Sequence, residues 1–221
     1  MSRIERALYP TRIQYVLNQV LLPLKLVIPQ PLIAKIPFLA TNYDIRIGVS
    51  LQVVQGRLLD VGCGTNRLVR AYRARGGEGT GVDVYAWDGV DLLVEDTSKL
   101  PFSDASFDTI SFIACLNHIP NRLEVLKEAR RLLTPNGRIV LTNLTPGLSR
   151  IWHAWAFWDR DQHERGMAEG ELFGFAHDEL ISMLRGIEFV LDTRHHFSWG
   201  LNTLYIFRKT CSARAHAASY G

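Results

Sequence analysis

The stretch Leu58-Leu59-Asp60-Val61-Gly62-Cys63-Gly64-Thr65-Asn66 decides the fold. An apolar run of strand length enters a turn carrying two glycines. Beyond the turn the spacing predicts a helix over 66–75, with Leu68, Val69 and Tyr72 on one side. Working outward, strands are expected over 57–61, 79–84, 90–95, 107–115 and 138–144. A helix over 121–133 places Leu123, Leu126, Leu132 and Leu133 on its apolar face, with Asn121 as N-cap. Pro135, Asn136 and Gly137 turn the chain into the fifth strand. Strands separated by helices pair in parallel and carry helices on both faces, which gives an α/β three-layer sandwich. Near the end, a helix over 176–185 precedes two runs, 188–197 and 201–209, joined by Ser198, Trp199 and Gly200. That spacing signals an antiparallel hairpin. Residues 211–221 have little to bury and read as a frayed tail.

The chain has 221 residues, 47% hydrophobic and 21% charged, which are values of a folded domain and exclude extensive disorder. Seventeen Gly and nine Pro exclude collagen-like repeats. Cys63, Cys115 and Cys211 are far apart and form no CxxC pair, which fits a reducing, cytoplasmic compartment. A net charge of +3 does not demand a nucleic-acid partner, and none is expected. The charge is uneven. Residues 1–46 hold Arg3, Arg6, Arg12, Lys25, Lys35 and Arg46 against Glu5 and Asp44, six minus two or +4, which leaves −1 for the remainder. Residues 13–40 are apolar but broken by four prolines and two lysines, so they do not read as a spanning helix, which needs about 20 mostly apolar residues. No small-residue cleavage site follows, and a signal peptide is not expected. Two readings follow for residues 1–46: an arm packed on the main domain, or an amphipathic segment that touches a membrane surface through residues 1–40.

The glycine turn is the strongest chemical signal. Without Cβ atoms, Gly62 and Gly64 let the backbone turn tightly and let a ligand approach its amides. The helix start adds unpaired N–H donors. No Gly-Lys-Ser/Thr follows, so this is no phosphate-binding P-loop, and the third glycine of a dinucleotide fingerprint would fall on Arg67. Asp83 ends the next strand about 20 residues on, where an acid accepts from two ribose hydroxyls. Each signal alone is common in surface turns; in this order they point to a nucleoside.

On these motifs the chain resembles the class I S-adenosylmethionine-dependent methyltransferases, in the small-molecule branch that includes ubiquinone and menaquinone biosynthesis enzymes. The resemblance covers residues 56–145. It rests on Asp60-Val61-Gly62-Cys63-Gly64-Thr65-Asn66, on Gly81-Val82-Asp83-Val84 and on Glu95-Asp96-Thr97-Ser98-Lys99-Leu100-Pro101-Phe102. Ser106-Phe107-Asp108-Thr109-Ile110, Leu116-Asn117-His118-Ile119-Pro120 and the run from Glu128 to Arg138 continue it in order. It implies a Rossmann-like, mostly parallel seven-stranded sheet with a C-terminal antiparallel hairpin. It implies S-adenosylmethionine as cofactor, bound by Asp60, Gly62, Cys63, Gly64, Asp83, Val84, Asp96, Thr97 and Cys115. In that scheme Val84 lies beside the adenine, Asp96 accepts from its amino group and Thr97 offers a backbone amide. Two departures stand out. Asn66 replaces the last glycine of the first motif, although Asn tolerates left-handed geometry. Five residues, 85–89, replace the usual helix between the second and third strands, so a short loop is expected that exposes one sheet face near the adenine.

On the acceptor side, His118 and His163 are candidate bases, and Asn117 and Asn143 stand at strand ends. The insertion after the fifth strand, a lid over 145–176, carries Trp152, Trp155 and Trp158, whose i, i+3 spacing suits either a substrate pocket or packing on the sheet. His153, Asp159, Asp161 and His163 lack metal-ligand spacing, and no metal is expected. The domain is taken as 47–210. The favoured function is methyl transfer to a small, hydrophobic acceptor. A catalytically silent cofactor-binding protein is the alternative. An RNA- or protein-directed enzyme is a third, against which Ala114-Cys115-Leu116-Asn117 stands where an Asn/Asp-Pro-Pro-Tyr/Phe motif would be.

Overall fold

A computed structural model describes residues 3–36, 38–144, 147, 170 and 172–210. Seven strands form one sheet, in the order β3-β2-β1-β4-β5-β7-β6. They are β1 Leu58–Val61, β2 Gly79–Asp83, β3 Leu92–Leu93, β4 Phe107–Ile113, β5 Leu133–Leu144, β6 Phe189–Phe197 and β7 Asn202–Lys209. The first five are parallel, and β7 lies antiparallel between β5 and β6. Every side chain of β1 is buried, as expected for a strand covered on both faces.

One face is covered by α7 (Arg122–Leu132) and α8 (His177–Arg185), whose Val125, Leu126, Leu132, Leu180 and Leu184 join Phe112, Leu141 and Phe207 in the main core. The other face is covered by α6 (Arg67–Arg73) and α5 (Asn42–Leu51). Ile47 and Leu51 meet Leu58, Leu68 and Val69, while Ile45 and Val49 meet Val140, Phe197 and Leu204. Helix α5 therefore crosses position 46 as one packed element. Thr41 and Asp44 close a capping box at its start.

Before it run α1 (Arg3–Arg6), α2 (Arg12–Val20), α3 (Leu22–Val27) and α4 (Gln30–Ile33). These are docked by buried polar contacts. Glu5 accepts from the Ser198 amide at the β6–β7 tip, at 3.2 Å, and from the Gln19 side chain at 2.6 Å.

Four local expectations change. Strand β5 starts at Leu133 instead of 138. Phe107 still pairs with Leu133 and Thr109 with Arg138, so the Pro-Asn-Gly segment bulges from a continuing ladder rather than ending it. Strand β3 shrinks to two residues; before it, the Asp91 carboxylate in place of a backbone carbonyl takes the Gly81 N–H at 2.8 Å. Asn121 sits at the N-cap of α7 but makes no side-chain cap; its amide donates to Asp96 at 3.1 Å. Leu123 is exposed, at the margin of the stripe set by Val125, Leu126, Ala129 and Leu132.

Candidate cofactor and acceptor site

The site lies at the carboxyl edge of the parallel strands. After β1 the chain takes left-handed backbone at Gly62, Gly64 and Asn66. A Cβ on Gly62 would stand 2.8 Å from the Cys115 Cβ, so glycine is required there for close approach as well as for φ. A Cβ on Gly64 would meet nothing within 4 Å, so this side of the turn faces open space.

Across from the turn, Asp83 is almost fully buried. Its carboxylate accepts the Gly64 N–H at 2.8 Å and the Tyr85 N–H at 3.0 Å. Each oxygen keeps further lone-pair capacity, and two backbone donors fix its direction. Asp60 lies deeper, accepting the Ser111 hydroxyl at 2.6 Å. Burial first, with the nearby Asp83 charge adding to it, pushes its carboxyl up to about 7 against the pull of Ser111. Burial likewise raises the Cys63 thiol, with the Asp60 and Asp83 charges adding to it. The Cys115 thiol donates to the Val61 carbonyl at 2.9 Å, tying the end of β4 to the turn.

The short 85–89 loop leaves Val84, Tyr85 and Leu93 exposed. Asn66 organises it, donating to the Gly89 carbonyl at 2.8 Å and to Asp91 at 3.0 Å. Asp91 is also gripped by Arg73. Thr97 is buried, while Asp96 accepts from the Ser98 amide and hydroxyl and from Asn121. The Ser98 bonds hold the Asp96 carboxyl below the usual range.

On the acceptor side, Leu116–His118 form a 3₁₀ turn after β4, with His118 half-buried. Asn117 donates to the Leu172 carbonyl at 3.0 Å. Asn143 makes a pair of bonds with the Phe175 backbone, at 2.9 and 3.1 Å. Both amides thus clamp the returning end of the insertion. His163, Trp152, Trp155 and Trp158 lie outside the described residues, as does most of the 145–176 lid.

One neighbour was absent from the sequence reading. Tyr43 on α5 bonds Thr65 through its hydroxyl, and the Arg67 guanidinium lies 4.9 Å from its ring centroid. Burial, with Asp60 next, raises its phenol. Asp44 pairs with Arg67. The Thr41-x-x-Asp44 capping box was the available signal for a helix starting here.

Residues 59–141 match the family model described as a methyltransferase domain. A 101-residue segment is 35% identical to the 27-O-demethylrifamycin SV methyltransferase of Amycolatopsis mediterranei, covering 38% of this chain and 37% of that one. A 108-residue segment is 32% identical to the demethylmenaquinone methyltransferase of Thermotoga maritima, covering 43% and 47%. The matches thus span less than half of either relative. Among solved structures, the fold superposes on the 1,6-didemethyltoxoflavin-N1-methyltransferase of Burkholderia thailandensis with TM-score 0.57 at 17% identity, covering 75% and 79% of the two chains. A SAM-dependent methyltransferase of Methanosarcina mazei gives 0.56 at 20% identity, covering 73% and 96%. Residues 59–141 thus match a methyltransferase domain, on a fold shared with S-adenosylmethionine-dependent methyltransferases, and the chain is similar in that region to small-molecule methyltransferases.

The site fits that cofactor. The glycine turn is open where Gly64 faces outward, Asp83 is aimed by backbone donors, and apolar Val84 stands exposed beside it.

Proposed function

We propose that this protein transfers a methyl group from S-adenosylmethionine to a small, hydrophobic acceptor. When bound, the sulfonium supplies a methyl group already activated for attack, so the protein has chiefly to align and to exclude water. Asp83 takes the ribose hydroxyls, and the backbone of Gly62, Cys63 and Gly64, whose N–H groups are spent on the Val82 carbonyl and on Asp83, meets the methionine portion by close approach. Val84, Asp96 and Thr97 hold the adenine, with Asp60 and Cys115 supporting the turn from behind. His118 or His163 removes the acceptor proton where the acceptor is a hydroxyl or amine. Trp152, Trp155 and Trp158 supply apolar walls, and Asn117 and Asn143 position that segment. The small-molecule reactions in the names of the relatives support this reading. Contact between residues 1–40 and a membrane surface belongs to it, because a hydrophobic acceptor is met there.

The carrying observation is the buried Asp83 carboxylate, held by the glycine turn it faces. Calorimetry with S-adenosylhomocysteine tests it: wild type is expected to saturate and Asp83→Ala to bind at least about tenfold more weakly. Equal binding by the two, or none by wild type, overturns the reading.

A further inference from the structure

Helix α2 is built inside out. Its inward residues are Tyr15 and Asn18, and Asn18 is bonded to the Phe38 carbonyl, the Ala40 amide and the Lys25 ammonium. Lys25 itself is only 1% exposed and donates to the Ala40 carbonyl at 2.9 Å. The outward residues are Ile13, Val16 and Val20, on one stripe, with Ile13 80% and Val20 65% exposed. Leu24, Leu32, Ile36 and Phe38 continue this exposed apolar character along the arm. A helix stabilised by water alone would face the other way. The buried polar network fixes the orientation, so the apolar stripe is held outward.

The stripe does not end with the arm. Val16, Val20 and Trp199 line one groove of about 430 Å³ between α2 and the β6–β7 tip. Trp199 is 62% exposed and stands in left-handed backbone. Leu144 pairs with Asn202, so this tip stands at the same edge of the sheet as the glycine turn. The sequence from Arg6 to Tyr43 contains no Asp or Glu, and its outward charges, Arg12 and Lys35, are both cationic.

We propose that α2 and the Trp199 hairpin tip together form one docking face for an anionic lipid bilayer, which sets the mouth of the methyl-transfer site against the membrane. Large apolar side chains with an indole among them, flanked at the surface by the cations Arg12 and Lys35, fit a bilayer interface; the carboxylate that lines the groove, Glu5, is 3% exposed and turned inward onto the Ser198 amide and Gln19. This deepens the membrane contact proposed above by naming its face and the lipid charge; that the acceptor is drawn from the bilayer rests on that reading, whereas vesicle binding is read without the cofactor site.

Flotation of the full chain tests this, with vesicles of phosphatidylcholine alone and of phosphatidylcholine with phosphatidylglycerol. The protein is expected to float with the anionic vesicles and to be released by salt. Val20→Asp and Trp199→Ser are each expected to lower partitioning by about tenfold. Lys35→Glu is expected to lower it by about fivefold. All three variants should keep wild-type melting and wild-type S-adenosylhomocysteine binding, so a failure of the cofactor site is read separately. Wild type that stays with the soluble fraction overturns the proposal. So does flotation unchanged in Val20→Asp and Trp199→Ser. A concentration-dependent dimer that those variants abolish, without vesicle binding, would assign the face to a second copy and overturn it too.

Discussion

The two halves of the carboxyl edge use their polar side chains in opposite ways. Around the glycine turn, backbone donors serve a side chain: Gly64 and Tyr85 amides aim the Asp83 carboxylate, which keeps capacity for a ligand. On the acceptor half, side chains serve the backbone: Asn117 and Asn143 spend their amides on Leu172 and Phe175. The difference teaches where specificity resides. On the proposed function, the carboxylate that meets the cofactor belongs to the folded core, whereas Asn117 and Asn143 anchor the backbone of Leu172 and Phe175, where the chain rejoins it.

If the cofactor half acts through a pre-aimed carboxylate, Asp83→Asn should be worse than loss of charge alone suggests. Both carboxylate oxygens face N–H donors, so either orientation of the amide turns an NH₂ against one of them. Affinity for S-adenosylhomocysteine is expected to fall by about a hundredfold, with the fold retained by circular dichroism. A loss below about threefold would mean that Asp83 shapes the turn without touching the ligand.

Asp60 supplies the next largest effect. Its folded-state value of about 7 lies above the unfolded carboxylate value of about 4. The folded chain keeps a proton that the unfolded chain has released, so stability is full below about pH 4 and declines as pH rises toward 7. Asp60→Asn removes this titration. In urea melts, its stability relative to wild type is expected to grow by roughly 1 kcal/mol per unit between about pH 5 and 7, then level off. A difference independent of pH would show that Asp60 is charged throughout. Adding Asp83→Asn should shrink the slope, because the Asp83 charge helps to raise Asp60.

Much of this edge was legible because its residues have local reasons to be where they are. The Gly-Cys-Gly turn needs left-handed backbone, and Asp83 closes an apolar strand; both signals fit in a few residues. The seven strands followed from apolar runs punctuated by turns. The arm was less legible because its buried residues include Glu5, Asn18 and Lys25, partnered by groups far along the chain. No periodicity rule anticipates a lysine with 1% exposure. The same holds for Asn143, whose position at a strand end reads as ligand-facing until Phe175 is seen to occupy both functions of its amide.

The acceptor half gives the third test. Asn143→Ala removes two buried bonds to Phe175 and should cost about 2 kcal/mol of stability. Turnover on any acceptor should fall while S-adenosylhomocysteine affinity stays within about twofold, because the change lies outside the cofactor half. A parallel loss of cofactor affinity would erase the division between the halves.

The smallest effect is expected at Asn66, where the two modes meet. Its backbone is left-handed, as the cofactor turn requires, while its side chain holds the Gly89–Asp91 loop, in the manner of Asn143. Asn66→Gly keeps the backbone and deletes the clamp. The net cost should be about 1 kcal/mol, because two bonds are lost but the buried Oδ1, which has no partner, is removed as well. Asn66→Ala deletes the same clamp and adds left-handed strain, so it should be less stable than the glycine variant by about 1 kcal/mol in urea melts. Equal stability of the two variants would place the whole role of Asn66 in its amide and none in its backbone.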